Sequence, residues 1–200
     1  LSVALLLAFT PALAGVNQPD QLSATPLGPD WIFETNQAAQ TSPDHREMSI
    51  TADCDVNGDG FMDVLVGKRD YDSLATDNGR AWLFYGSPSG LSATPGRIFD
   101  PPYTNTYGFF GTEVACAEVT GDSYDDIFIA MDNYEASYSD EGAVFVWYGA
   151  AAGPGASYNW MARGNSTYAH FGVSLDNAGD ITGDGYEDII IGANGNDTSG

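Results

Sequence analysis

The sequence predicts an all-β protein built from tandem repeats of about 62 residues. Three observations predict this class. An acidic nine-residue segment occurs three times, short apolar or aromatic runs surround each copy, and no segment after the N-terminal residues shows the period of an amphipathic helix. The 24 glycines and 10 prolines mark the turns between the runs. Strands joined by tight turns therefore account for most of the chain.

The acidic segment begins at residues 55, 118 and 180, so successive copies lie 63 and 62 residues apart. The neighbouring residues keep the same register. A run rich in Val and Ile follows each copy, and an aromatic run ending in Tyr-Gly follows the first two, at 79–86 and 142–149. The pentapeptide Leu-Ser-Ala-Thr-Pro also occurs twice, after residues 21 and 90. Several recurring segments in one register indicate one structural unit repeated along the chain.

Each full period contains four strand-like runs, which is the number in one blade of a β-propeller. The first run leads into the acidic segment and the second follows it. The third is the aromatic run, and the fourth is short, as at 97–100 or 158–161. The chain contains two full periods, a third that stops after its second run, and an orphan fourth strand at 31–34 whose own blade is missing. These predict a fragment of a longer propeller. Such a fragment is expected to expose sheet edges, and 31–34 to complete a blade that the fragment lacks.

The first residues predict a targeting segment. Residues 1–14 form an apolar run that ends in Ala12-Leu13-Ala14, an A-x-A cleavage pattern, and they predict a partial signal peptide. A transmembrane span is the alternative, but Pro11 leaves the apolar run shorter than the roughly 20 residues that a span needs. The other predicted divisions are an N-terminal segment with the orphan strand (15–46), a first blade (47–109), a second blade (110–170) and a truncated third blade (171–200).

Oxygen-bearing residues occupy positions 1, 3, 5 and 9 of each acidic segment. Calcium binds six to eight oxygens, and alternate positions of a tight loop point toward one centre, with the carbonyl at position 7 as a further ligand. Magnesium is less suited because it retains several waters. Glycine at position 6 of the first and third segments permits a turn with positive φ, and serine takes this position in the second. The sequence thus predicts up to three calcium sites, with these ligands: Asp55, Asn57, Asp59, Phe61, Asp63, Glu118, Thr120, Asp122, Tyr124, Asp126, Asp180, Thr182, Asp184, Tyr186 and Asp188.

Two other interpretations fit parts of this pattern. An EF-hand requires a bidentate glutamate at position 12 between two helices, but position 12 is Val66, Ile129 or Ile191 within the next strand. Metal-free Asp/Asn/Gly turns explain one such segment, but three segments that keep the acid at position 9 favour calcium. Ligand composition predicts the tightest binding in the first segment, then the third. The second is expected to be weakest, since Glu118 opens it and Ser123 takes the glycine position.

These residues resemble the FG-GAP repeat, the unit of the integrin α-subunit N-terminal β-propeller and of many secreted bacterial proteins. Phe110-Gly111 and Phe171-Gly172 open the second and third periods, and the third ends in Gly-Ala-Asn at 192–194. The first period has Glu47-Met48 in place of Phe-Gly. The resemblance implies a seven-bladed propeller with calcium between the first and second strands of a blade. The Leu-Ser-Ala-Thr-Pro segments are more like those of the bacterial members.

Charge narrows the function. The 28 acidic and 6 basic residues give a net charge of −22, which argues against nucleic acid and against anionic membranes as partners. The resemblance implies a secreted or cell-surface, non-catalytic interaction module that binds calcium and an extracellular protein or glycan. The alternative is an accessory or catalytic propeller domain of a secreted hydrolase or lyase. His45 and His170 lie in no catalytic motif, and His170 is expected to be structural.

The two cysteines leave two interpretations open. Cys54 lies one position before its acidic segment and Cys116 two, so alternation along a strand points them to opposite faces of their sheets. That parity favours two small buried thiols, with a disulfide as the alternative.

Overall fold

The computed structural model describes residues 3–6, 31–35 and 48–195, and all its regular elements are β-strands. Within these ranges no helix has the length and apolar character required to cross a membrane. The chain forms two compact units, residues 1–39 and 40–200. In the first unit, β1 (Val3–Leu6) pairs antiparallel with β2 (Trp31–Glu34). The partner of strand 31–34 is thus an apolar strand within the predicted signal peptide, a pairing that was not predicted, and the completion of a missing blade by this strand stays a prediction.

The second unit contains three antiparallel sheets whose strands follow chain order. The first sheet comprises β3 (Ser49–Cys54), β4 (Asp63–Lys68), β5 (Arg80–Phe84) and β6 (Arg97–Phe99). The second comprises β7 (Phe110–Ala117), β8 (Asp126–Met131), β9 (Ala143–Trp147) and β10 (Trp160–Arg163). The third comprises β11 (Ser174–Gly179) and β12 (Asp188–Gly192). The four-stranded pattern predicted for each full period is confirmed.

The sheets pack face to face, which explains why the second and third strands are apolar in their central residues. Every residue of β4 and β8 is buried. Alternate side chains of β8 serve two interfaces: Ile127 and Ile129 pack against the first sheet, whereas Phe128 and Ala130 pack toward the third. Each fully buried large apolar side chain contributes roughly 1.5–3 kcal/mol of hydrophobic stabilisation. The face of the third sheet that points away from the second is exposed, with Ile190 57% exposed.

The Phe-Gly pairs fasten each sheet to the one before it. The amide of Phe110 donates to the carbonyl of Asn78 at 3.0 Å, and the amide of Phe171 donates to that of Glu141 at 3.1 Å. Gly111 has φ 83°, and a Cβ there would lie 2.8 Å from the carbonyl oxygen of Arg80. Glycine is therefore required at this position by both backbone conformation and space.

The cysteines form a disulfide, so the interpretation of two buried thiols is wrong. Cys54 of β3 and Cys116 of β7 are bonded across the first and second sheets, with their Cα atoms 5.6 Å apart. The parity was inferred correctly but interpreted wrongly. When two sheets stack in the same orientation, one face of the first meets the opposite face of the second, so cysteines on opposite faces can meet.

The fourth strand of the second sheet begins two residues later than the predicted 158–161. The side-chain oxygen of Asn159 accepts the amide of Tyr148 at 2.9 Å, and the Tyr158 ring packs 5.3 Å from that of Phe145. The amide of Asn159 also donates to the Val146 carbonyl of β9 at 2.7 Å, so this residue is bonded to β9 just before the regular strand. Regular pairing with β9 starts at Trp160.

Candidate metal centre

The three acidic segments form loops that join the first and second strands of each sheet, and each loop is wound around its first side chain. In the first loop, Asp55 accepts the amides of Asp59 at 3.0 Å and Gly60 at 2.9 Å, one on each carboxylate oxygen. In the third, Asp180 accepts the amides of residues 183, 184 and 185 at 2.7–3.1 Å. The first residue therefore fixes the curvature of its loop as well as supplying oxygens.

The second loop reaches the same shape with a longer side chain. A single oxygen of Glu118, Oε1, accepts the amides of Thr120, Gly121 and Asp122. The positive φ predicted for glycine at position 6 is confirmed at 83° for Gly60 and 93° for Gly185, and Ser123 has the same sign at 70°. Ser123 thus adopts a left-handed conformation that favours glycine.

Positions 3 and 5 also contact the loop backbone. The Asn57 side-chain oxygen accepts the Asp59 amide at 3.0 Å. The carboxylates of Asp59, Asp122 and Asp184 accept the amides two residues ahead at 2.9–3.1 Å. These bonds are the Asx turns that short acidic side chains form readily. All three position-5 residues are exposed.

The acid at position 9 has a structural role that the sequence analysis missed. Asp63 is fully buried, and its two oxygens accept the amides of Val56 at 3.1 Å and Gly86 at 2.8 Å. Asp126 makes the same pair of bonds with Val119 and Gly149. The acid therefore ties the loop to the Tyr-Gly turn after the third strand. Its recurrence does not by itself distinguish a metal loop from a structural turn, and the only signal in the sequence was the shared register of the Tyr-Gly pairs.

Asp188 in the third loop differs from its two counterparts. One of its oxygens accepts the amides of Ile181 at 2.8 Å and Thr182 at 3.0 Å. Unlike Asp63 and Asp126, it contacts no Tyr-Gly turn within the described part of the chain, and residues 189–200 contain no Tyr-Gly pair.

The loop side chains do not converge on one centre in this structure. Across the described ranges, no group of three or more His, Cys, Asp or Glu side chains is arranged to hold a metal ion. The donor set of the loops, consisting of carboxylate, amide, hydroxyl and carbonyl oxygens, is the hard-oxygen set that calcium requires. The donor chemistry of the loops thus fits calcium, and the predicted ligation by individual residues stays a prediction.

Burial alters the acidity of the position-9 carboxyls. Desolvation raises the pKa of Asp63 to about 6, and the charges of Asp59 and Asp55 add to the rise against the amide hydrogen bonds from Gly86 and Val56. The pKa of Asp126 is raised to about 6 for the corresponding reasons. The folded state thus holds these protons more tightly than an unfolded chain, in which the ordinary value is 3.8.

This shift predicts that the calcium-free protein is more stable at pH 5 than at pH 7. A raised folded-state pKa contributes stability that is complete below the unfolded value of 3.8 and is lost as the pH rises through about 6. Thermal melts in chelator at the two pH values measure the difference. The variant Asp63→Asn with Asp126→Asn should flatten it, and a higher melting temperature at pH 7 than at pH 5 for the unaltered chain would contradict the prediction.

Comparison with known proteins identifies the repeat. Residues 48–84, which span the first loop and its flanking strands, match the FG-GAP repeat family. The chain is 33% identical to integrin alpha-4 of Xenopus laevis over 145 residues, and 34% identical to integrin alpha-IIb of Mus musculus over 148 residues. Each match covers 70% of this chain, and 13% and 14% of the respective relatives. The chain is an integrin-like FG-GAP repeat protein.

The two four-stranded sheets are accordingly blades of a β-propeller fragment, followed by two strands of a third blade. This FG-GAP protein is also 29% identical over 149 residues to phosphatidylinositol-glycan-specific phospholipase D of Bos taurus, a match that covers 70% of the chain and 17% of that enzyme. The chain spans about a seventh of the length of the integrin relatives it matches. The FG-GAP family match at residues 48–84 lies in the first blade, even though that period lacks the Phe-Gly pair.

Proposed function

We propose that this FG-GAP protein is an extracellular, calcium-binding β-propeller module that is non-catalytic and binds a protein or glycan partner. The observation that carries the calcium proposal is the shared winding of the three loops around their first carboxylate. In all three loops this carboxylate accepts the backbone amide of position 5, and every side chain at positions 1, 3, 5 and 9 offers oxygen. The predicted signal peptide and the integrin relatives support an extracellular location.

The ligands in this proposal are the residues at positions 1, 3, 5, 7 and 9 of each loop. Bound calcium supplies positive charge to a group of carboxylates that otherwise repel one another. Position 9 can serve both the backbone and a cation, because each carboxylate oxygen has two lone pairs and the described bonds use one on each oxygen of Asp63. The protein's own contribution is to hold the first carboxylate by its amides and so orient it.

Two tyrosines provide a candidate contact surface for the partner. Tyr107 and Tyr168 occupy equivalent positions before the Phe-Gly pairs, have φ values of 59° and 58°, and are 53% and 57% exposed. A bulky residue in the left-handed region is strained, and such strain occurs often at functional sites. Aromatic side chains with one apolar face and one polar end suit both protein and glycan ligands. By contrast, Trp82 and Trp147 are buried and pack in the blades.

A calorimetric titration tests the proposed calcium sites. We expect up to three calcium ions per chain, and we expect Asp59→Ala, Asp122→Ala and Asp184→Ala each to remove one. Glu135→Ala, at an exposed acid outside the loops, is the matched control and should leave the stoichiometry unchanged. Titrations without saturable binding at millimolar calcium would refute the proposal. The same proteins, screened with and without calcium on arrays of extracellular proteins and glycans, test the binding role, and the variant Tyr107→Ala with Tyr168→Ala tests the surface.

The second candidate is an accessory or catalytic domain of a secreted hydrolase or lyase, which the similarity to the phospholipase D favours. His45 lies outside the described residues. The ring Nδ1 of His170 is 3.3 Å from the carbonyl oxygen of Asp132 and 3.1 Å from the side-chain oxygen of Asn133, contacts that suit a structural role. Turnover of phosphatidylinositol glycan or polysaccharide substrates by the purified chain would support the second candidate over the first.

A further inference from the structure

In the second and third loops, the residue at position 8 connects the loop to the one before it. In the second loop this residue is Asp125. Its Oδ2 accepts the backbone amide of Asp55, the first residue of the first loop, and its own amide donates to the Asp55 carbonyl at 3.2 Å. The two residues thus exchange two hydrogen bonds although they are 70 positions apart.

The same connection recurs between the next two loops. Glu187 Oε2 accepts the amide of Glu118 at 3.0 Å, and the Glu187 amide donates to the Glu118 carbonyl at 2.9 Å. Asn177 of β11 donates to the same Glu187 oxygen at 2.8 Å and fixes its position. Two different acids, one a methylene longer than the other, therefore make the same pair of bonds at the same place in the repeat.

The residue at position 7 reinforces this connection. The ring of Tyr124 covers Gly58 in the preceding loop, where a Cβ atom would lie 2.6 Å from the ring carbon Cε1. Tyr186 covers Gly121 in the same manner. Glycine at position 4 thus leaves room for an aromatic ring from the following blade. Two adjacent residues of one loop, at positions 7 and 8, therefore contact the loop before it.

The first loop has no acid at position 8. Met62 stands there and is 57% exposed, and Phe61 at position 7 is 39% exposed. The acid is therefore not required to form the loop itself. The second and third loops, which have the acid, each follow a loop whose position-1 amide the acid binds.

We propose that Asp125 and Glu187 are positioning residues that lock the first calcium ligand of the preceding loop and so couple calcium binding in neighbouring blades. The proposal rests on the proposed function in assigning calcium to the loops. An anchored backbone at position 1 holds the first carboxylate in place before the cation arrives, which lowers the cost of ordering it. Asp125 lies between two predicted ligands of its own loop, Tyr124 and Asp126, so a cation there steadies the lock. Coupling of this kind acts equally in both directions.

Amide hydrogen exchange in calcium-free protein tests the lock without any metal. In Asp125→Ala we expect the Asp55 amide to exchange about tenfold faster, while the Glu118 amide is unchanged. In Glu187→Ala the pattern should reverse. Each variant is thus the matched control for the other, at the same position of successive blades. Equal exchange of Asp55 in the unaltered chain and in Asp125→Ala would overturn the proposal.

Calcium titration of chains with one working loop tests the consequence. In a background of Asp122→Ala and Asp184→Ala only the first loop can bind, and there we expect Asp125→Ala to weaken affinity about tenfold, equivalent to about 1.4 kcal/mol. Asp125→Asn retains an acceptor oxygen and should restore affinity to within about threefold. Glu187→Ala should have no effect on this loop. If Asp125→Ala does not fold, Glu187→Ala in a background with only the second loop working gives the same test.

The outcomes separate the two proposals. If the unaltered chain binds no calcium, the proposed function fails, and the exchange data alone decide the lock. If it binds calcium but Asp125→Ala and Asp125→Asn both match the background in the first loop, the lock fails and the calcium sites stand. Weakening by Asp125→Asn as great as that by Asp125→Ala would also overturn the positioning role, because the acceptor oxygen would then be irrelevant.

Discussion

Saturating calcium raises the melting temperature of this protein by roughly 10 °C or more over its value in chelator. A ligand at about one hundred times its Kd stabilises the folded state by about 2.7 kcal/mol for each site, and a chain of this size gains about 2–4 °C for each kcal/mol. Two filled loops therefore give a shift of this order, and a third increases it. Differential scanning calorimetry in calcium and in chelator measures the shift.

Loop variants show whether the shift comes from the proposed sites. Each of Asp59→Ala, Asp122→Ala and Asp184→Ala should remove part of the shift, and the triple variant should abolish it. The carboxylates at these positions are exposed, so their loss is expected to change the melt in chelator much less than the melt in calcium. Magnesium at equal concentration should give a smaller shift, because its octahedral geometry suits these loops poorly. A melting temperature that is the same in calcium and in excess chelator would argue against calcium as a structural element.

The strands were predictable because their signals are local. Apolar runs between turn residues located β4 and β8 closely, and repetition in one register showed that four strands make one unit. The positive φ of glycine at position 6 was predictable for the same reason, since a tight turn imposes it. The start of β10 was not, because Asn159 and Tyr158 form contacts with residues more than ten positions away.

The features that the sequence analysis missed depend on contacts between residues far apart in the chain, most of them in different blades. The bond between Cys54 and Cys116, the bonds of Asp125 to Asp55 and the burial of Asp63 against Gly86 join residues 23 to 70 positions apart. A repeat shows which positions are equivalent, but it does not show which face of one copy meets which face of the next. The parity of the cysteines contained that information, and only the stacking of the sheets revealed its meaning.

The double variant Cys54→Ala with Cys116→Ala should lose about 4 kcal/mol of stability in calcium-free buffer. The disulfide closes a loop of 62 residues, and the entropy that such a loop removes from the unfolded chain gives this figure. The melting temperature should fall by roughly 8–16 °C, as measured by calorimetry, and the unaltered chain in reductant should behave alike. Free thiols in the untreated protein, or a double variant that melts within about 2 °C of it, would contradict the prediction.

The stability lost on removal of the disulfide should be greater in calcium than in calcium-free buffer. Cys54 immediately precedes Asp55, whose backbone exchanges two hydrogen bonds with Asp125. The disulfide and the position-8 acid therefore both constrain Asp55. Removing the disulfide frees the first ligand and weakens calcium binding in the first loop. Because contacting groups are not energetically independent, the fall in melting temperature is expected to be greater in calcium than in chelator. Equal falls in the two buffers would show that the disulfide stabilises the blades without ordering the loop.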